Sequence, residues 1–133
     1  MKDQSRRYFI MNHLALGAGM LLLPEGAIKK NKMVIHHVFF WLRQPHSKED
    51  LAKLIAGLQT LKKIKTVKKL HIGIPAATED RTVVDSSYSA SELLFFDDLA
   101  GQETYQDHPI HQKFIADCAH LWQKVVVYDS VDI

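Results

Sequence analysis

The chain has 133 residues, the usual size of a single domain, and its 47% apolar and 24% charged residues are typical of a globular protein. The formal net charge is +2, but six of the 17 basic residues lie within residues 1–32, so the rest of the chain is slightly acidic. This distribution argues against a nucleic-acid partner, which requires a basic surface. The single cysteine, Cys118, excludes an intrachain disulfide and a cysteine-based zinc site.

Residues 1–32 have the features of an export signal. The stretch SRRYFI, residues 5–10, resembles the twin-arginine motif, in which paired arginines precede large apolar residues. The apolar run from Leu14 to Leu23 would rise about 15 Å as a helix, half of a hydrocarbon core, so no stable membrane span is expected. Glu25 occupies a place where signal cleavage favours a small residue. The interpretation is a periplasmic or otherwise exported protein; the alternative is a cytoplasmic protein with an N-terminal tail.

The first predicted strand and helix follow this leader. VIHHVFFWL, residues 34–42, is rich in β-branched and aromatic residues and is apolar in both alternating registers, which predicts a strand covered on both faces. Pro45 ends the strand, and Ser47 with Asp50 forms a capping box that starts a helix. The apolar residues of this helix recur at helical spacing and form one stripe: Leu51, Leu54, Ile55, Leu58 and Leu61.

The remaining elements have alternating apolar patterns or turn residues at their boundaries. Two further strands are predicted at about residues 67–74 and 87–96, with a loop at 75–86 between them. A helical stretch from Asp98 is interrupted at Pro109, a residue that suits the first turn of a new helix. VVVY, residues 125–128, is the last predicted strand.

This order of elements, βαββαβ, is that of the ferredoxin-like split βαβ unit, an α+β fold. It predicts a four-stranded antiparallel sheet with the helices on one face. The second apolar register of the strands would then be uncovered, and an apolar patch of that size is rarely left in water. A second copy packed sheet to sheet would cover it, so we expect a homodimeric α/β barrel.

Three stretches resemble the stress-responsive dimeric α/β-barrel (Dabb) domain over nearly all of residues 33–133. They are VIH leading into the two phenylalanines at 39–40, the string Tyr105-x-x-His-Pro-x-His-x-x-Phe114, and VVVYD at 125–129. The resemblance implies a dimer whose sheets face each other around a cavity, with no cofactor. In a plant polyketide cyclase of this family, a tyrosine and the second histidine of the string perform acid–base chemistry; Tyr105 and His111 match them by position.

Tyr105 and His111 are therefore the candidate catalytic pair. A neutral His111 beside the buried helix stripe could act as a general base, with the Tyr105 hydroxyl donating to a developing oxyanion. The structural alternative is a helix-entry motif in which Asp107 or His108 caps the helix, Pro109 opens it and His111 bonds to strand backbone. The sequence leaves both interpretations open.

Other polar residues are candidates for binding a ligand. His36 lies in an otherwise apolar strand and needs a polar partner if it is buried, while His71 faces either a cavity or solvent. Glu92, in the register of Tyr88, Leu94 and Phe96, is a candidate cavity acid; the alternative is an exposed charge on a strand. No metal is expected, because the histidines lack the i, i+4 helix spacing and have no carboxylate placed beside them. The candidate ligand-binding residues are His36, His71, Tyr88 and His108.

Two classes of function remain open. The first is a stress-type barrel that binds a small apolar or aromatic molecule in its cavity without catalysis. The second is a cofactor-free enzyme of the polyketide-cyclase or monooxygenase kind that works in the dimer cavity. A cavity into which both Tyr105 and His111 open would favour the enzyme.

Overall fold

The computed structural model describes residues 31–133. The predicted export signal lies outside these residues, apart from its last two, and export stays a prediction. The described part of the chain contains no helix with the length and apolarity needed to cross a membrane.

The elements in chain order are β1 (Val34–Leu42), α1 (Lys48–Thr60), β2 (Lys69–Gly73), β3 (Ala90–Phe96), α2 (Leu99–Asp107), α3 (Pro109–Cys118) and β4 (Trp122–Val131). A short 3₁₀ turn follows α1 at Leu61–Lys63, and another follows α3 at Ala119–Leu121.

The four strands form one antiparallel sheet in the order β2-β3-β1-β4, which confirms the ferredoxin-like βαββαβ prediction. β4 is ten residues long, although only residues 125–128 were apolar enough to predict a strand. Its polar flanks are extended because they pair with β1 along its whole length, from Val34↔Val131 to Leu42↔Trp122. Ladder pairing has therefore overridden a weak local propensity.

The helices cover one face of the sheet and form the core with it. Alternate residues of β1 are buried on this side, as the strand pattern predicted. Leu54 and Leu58 of α1 and Phe114 of α3 pack onto them. The β1 residues that point toward the helices are Val34, His36, Val38, Phe40 and Leu42.

Local capping bonds start the helices where the sequence predicts. Ser47 Oγ accepts a hydrogen bond from the backbone N–H of Asp50 at 3.1 Å and begins α1. His108 Nδ1 accepts from the backbone N–H of Ile110 at 3.1 Å and caps α3, whose first residue is Pro109. Because a residue before proline avoids the helical region, His108 is extended, and α2 and α3 are separate helices.

Helix α1 packs tightly against α3 at Gly57. A Cβ atom at this position would lie 2.5 Å from Cys118 Sγ and 3.0 Å from Phe114 Cδ2, both closer than van der Waals contact. Cys118 is a buried free thiol. Gly57 is therefore required by packing rather than by backbone conformation.

We expect Gly57→Ala to destabilise the fold by about 1–2 kcal/mol, because the overpacking cost exceeds the gain in helix propensity, roughly 1 kcal/mol. Urea denaturation would measure the change. Gly101→Ala is the matched control, since a Cβ at that helical glycine meets no atom closer than 3.4 Å. The loss should shrink in a Cys118→Ala background. Equal stability of Gly57→Ala and wild type would contradict the packing explanation.

The other side of the sheet, named here the open face, has no helix over it. Its centre is apolar and half-buried, and the Phe39 ring lies 4.2 Å from that of His37, 4.9 Å from that of Tyr88 and 6.1 Å from that of Tyr128. Lysines lie at its margins, with Lys124 Nζ 4.5 Å from the centre of the Trp41 ring. The open face is defined by Ile35, His37, Phe39, Trp41, Leu93, Phe95, Val126 and Tyr128.

Candidate functional site

A half-open pocket of about 250 Å³ lies on the helix side of the sheet. Its walls come from β1, β3, β4, the end of α2 and one side of α3. β4 is an edge strand of the sheet, and the helices do not cover it fully. Val125 and Val127 are therefore exposed on the floor of the pocket. The sequence predicted a cavity between the sheets of two chains. The pocket described here lies between the sheet and the helices of one chain, because the motif residues on α2 and α3 face their own sheet. A cavity between two chains stays a prediction.

His111 lines the pocket and has a defined tautomer. Its Nδ1 lies 3.0 Å from the backbone carbonyl of Gln106, and a carbonyl only accepts, so Nδ1 carries the proton and Nε2 keeps a lone pair. The carbonyl is available because α2 ends one residue later, at Asp107. Burial is the main cause that lowers the pKa of His111; His36 lowers it further, whereas the bond to Gln106 and the charge of Asp107 oppose the shift. His111 is therefore neutral at pH 7.

Tyr105 lies behind His111 rather than in the pocket wall. Its side chain is fully buried, and its ring centre is 4.5 Å from that of His111 and 5.3 Å from that of Phe96. The hydroxyl has no hydrogen-bond partner of standard geometry. Burial raises the pKa of Tyr105, and Glu92 raises it further. Of the candidate catalytic pair, His111 opens into the pocket and Tyr105 does not.

Glu92 is an acid buried at the centre of the sheet. It is 2% exposed, it lines the pocket, and its Oε2 has no hydrogen-bond partner. Burial raises the pKa of Glu92 to about 8. The Tyr105 hydroxyl is close enough to interact with this carboxyl group, although not in standard hydrogen-bonding geometry, and it opposes the shift. The predicted common register with Tyr88 was wrong. β3 begins only at Ala90, and Tyr88 packs on Phe39 of the open face.

His36 and Asp129 form a pair at the rim of the pocket. They are direct partners across β1 and β4, and His36 Nδ1 lies 2.5 Å from Asp129 Oδ1. The histidine is buried and the carboxylate is about half exposed. Asp129 is thus the polar partner that a buried His36 was expected to need. Asp129 was not predicted as a site residue, because only the strand register brings it beside His36.

The other candidate ligand-binding residues lie elsewhere. His108 caps α3 and does not line the pocket. His71 is exposed on the open face. The pKa of His37 is lowered mainly by the burial of His37 itself and further by the nearby His71. Tyr88 lies on the same face. Within residues 31–133 no three histidine, cysteine or acidic side chains are grouped to hold a metal ion. The structure thus gathers His36, His111 and, behind them, Tyr105, and separates these from His71 and Tyr88.

A base and a buried acid therefore face one small cavity. His111 Nε2 can accept a proton or hydrogen bond, and a protonated Glu92 can donate one. The floor and one wall are apolar, with Phe40, Phe114 and Val127 among the lining residues. An apolar cavity with a few convergent polar groups is the usual form of a small-molecule site.

A model of the stress responsive A/B barrel domain matches residues 34–132. The chain belongs to this family. The match confirms the resemblance of the three sequence stretches, and it includes every residue of the pocket. No curated sequence is similar enough to this chain to count as a relative.

Solved structures share the fold of this Dabb chain. A Dabb family protein with a ferredoxin-like fold from Mesorhizobium loti is 26% identical with a TM-score of 0.63, over 77% of this chain and 99% of that one. A dimeric ferredoxin-like protein of unknown function from Thermobifida fusca is 20% identical with a TM-score of 0.63, over 83% and 100%. The hydroxynitrile lyase from Passiflora edulis is 19% identical with a TM-score of 0.64, over 79% and 96%.

Proposed function

We propose that this Dabb protein binds a small, mainly apolar or aromatic molecule in the pocket between its sheet and the helices α2 and α3. The observation that carries the proposal is a buried oxygen without a standard hydrogen-bond partner, Glu92 Oε2, in the lining of a mainly apolar cavity. Buried polar atoms are nearly always hydrogen-bonded, so an exception in the pocket lining favours an additional binding partner.

Replacing His111 with alanine should abolish the stabilisation of the protein by such ligands, because the substitution removes the accepting Nε2 from the pocket wall. A thermal-shift screen of small phenols, ketones and aromatic acids against wild type and His111→Ala measures this. The variant itself should lose about 1–3 kcal/mol, since the Gln106 carbonyl loses its donor.

His120→Ala is the control, because this exposed histidine does not line the pocket. Circular dichroism must first show that both variants are folded. Equal ligand shifts in wild type and His111→Ala would exclude His111 from the site.

We also propose that two copies pack through the open face, which makes the protein a homodimer. The apolar centre of that face supports the proposal, because such a patch is rarely left in water. The structurally similar Thermobifida fusca protein is described as dimeric. The pocket and the open face lie on opposite sides of the sheet, so each can be tested separately.

A second candidate is a cofactor-free enzyme of the polyketide-cyclase or monooxygenase kind that uses Tyr105 and His111. The defined Nδ1–H tautomer of a neutral His111 favours it, since this leaves Nε2 as a general base. The structurally similar Passiflora edulis protein is an enzyme, a hydroxynitrile lyase. Tyr105 would have to act from behind the pocket wall. Ligands recovered unchanged after incubation with the protein would favour binding over catalysis.

A further inference from the structure

Glu92 occupies a position in which a carboxylate has no cation to balance it. It lies opposite Val38 of β1 and Ile72 of β2, in the middle of the sheet. None of the ion pairs described in residues 31–133 includes it. Burying an isolated carboxylate is so costly that the group takes up a proton instead.

The titratable groups around Glu92 come from every other element that borders the pocket. Tyr105 lies on α2, His111 on α3, His36 on β1 and Asp129 on β4. His111 is neutral, and the His36 imidazole is already paired with Asp129. No lining residue is a lysine or arginine. The pocket therefore offers no unpaired cation to an anionic ligand, and the Asp129 carboxylate at its rim repels one.

We propose that Glu92 is the proton-donating group of this pocket and that, with the accepting His111 Nε2, it selects uncharged ligands. Such a ligand presents a carbonyl-type oxygen to Glu92 and an N–H, O–H or acidic C–H to His111. The inference rests on the proposed function, because it names the ligand class of the same site. The unpartnered Oε2 atom, buried within the pocket lining, is the observation that points to the ligand.

The Tyr105 hydroxyl has a positioning role in this arrangement. It is a donor next to Glu92, and a protonated carboxyl group has one oxygen that accepts and one that donates. A bond from Tyr105 to the accepting oxygen would leave the O–H of Glu92 for the ligand. Tyr105 then holds the acid in place without lining the pocket, which accounts for its complete burial.

Three probes of nearly the same shape distinguish the charge states: benzamide is neutral, benzoate is an anion and benzamidine is a cation. Titration calorimetry at pH 7 on the full chain should show benzamide binding at least about tenfold more tightly than either ion. Benzamide affinity should fall by up to about tenfold per pH unit above about pH 8, as Glu92 ionises. Tightest binding of benzamidine would show an ionised Glu92 and would overturn the proposal.

Variants of Glu92 separate a hydrogen-bonding role from a merely structural one. Glu92→Leu, which lacks a donor, should weaken benzamide binding at least about tenfold. Glu92→Gln keeps a donor but cannot ionise, so it should bind benzamide with an affinity that does not change between pH 7 and 9. Glu49→Gln, at an exposed carboxylate outside the pocket, should keep the pH dependence of wild type. The same pH dependence in Glu92→Gln would overturn the proposal.

Failure of this inference differs from failure of the proposed function. If no compound of any charge binds, the proposed function fails and the ligand class falls with it. If ligands bind but prefer the anionic or cationic form, only the inference fails. Carbon-13 NMR titration of the Glu92 carboxyl group decides its charge without any ligand: a proton retained at about pH 7 supports the inference, and an ionised group at about pH 6 overturns it.

Discussion

Raising the pH from about 5 to 8 should lower the free energy of unfolding of wild type by roughly 1.4 kcal/mol per pH unit relative to Glu92→Gln. Burial raises the pKa of Glu92 from 4.5 to about 8, so between these values the folded state holds a proton that the unfolded state releases. Stability from this group is complete below about pH 4.5 and is lost as the pH rises through about 8. The total difference is of the order of 5 kcal/mol.

Urea denaturation at several pH values, at one fixed protein concentration, measures this difference. The comparison with Glu92→Gln removes the contribution of His111, whose lowered pKa acts in the opposite direction in both proteins. Glu49→Gln is the control for loss of a carboxylate, since Glu49 is exposed beside Lys53. Parallel pH profiles for wild type and Glu92→Gln would show that Glu92 is ionised in the folded protein.

The second large effect is expected at the open face, where Phe39→Lys should convert a dimer to a monomer. Phe39 lies at the centre of the half-buried aromatic cluster, so an interface through this face would bury the introduced ammonium group without a partner. Such a change should weaken association by about 3 kcal/mol or more, which is at least 100-fold. Light scattering at low micromolar concentration would show the mass of one chain instead of two.

Val83→Lys is the control for this experiment, because Val83 lies in the loop between β2 and β3 and is 81% exposed. This variant should stay dimeric. A wild-type protein that is monomeric at low micromolar concentration would contradict the proposed dimer. Since the pocket is on the opposite side of the sheet, ligand binding by a folded Phe39→Lys monomer would show that the site is complete within one chain.

Local sequence signals were sufficient for the elements and for part of the candidate site. The strand pattern of β1, the Ser47 cap and the break at Pro109 act over a few residues, so the sequence reveals them directly. His111 was found from its place beside the helix stripe and from the motif string. Its partner was not: a bond to strand backbone was expected, whereas His111 bonds to the carbonyl of Gln106 at the end of a helix. The two apolar registers of the strands likewise predicted an uncovered sheet face.

The sequence named Glu92 as a candidate cavity acid but could not show how deeply it is buried, and it could not assign Asp129 or Tyr88 correctly. Glu92 is buried because β3 lies between two other strands, and Asp129 meets His36 because β4 pairs with β1 in one register. Tyr88 precedes the first residue of β3, so the alternation of that strand does not extend to it. These outcomes depend on contacts between distant parts of the chain.

By itself, the sequence determined the order of the elements and the helix boundaries at Ser47 and Pro109, because these depend on residues close together in the chain. It also determined the membership of the chain in its family, through motifs spread over residues 34–132. Only the tertiary structure decided that the pocket opens on the helix side and that an acid and a base meet there. The physical reason is that burial and strand register, which set the charge of Glu92 and the partner of His36, exist only once the sheet and helices have packed together.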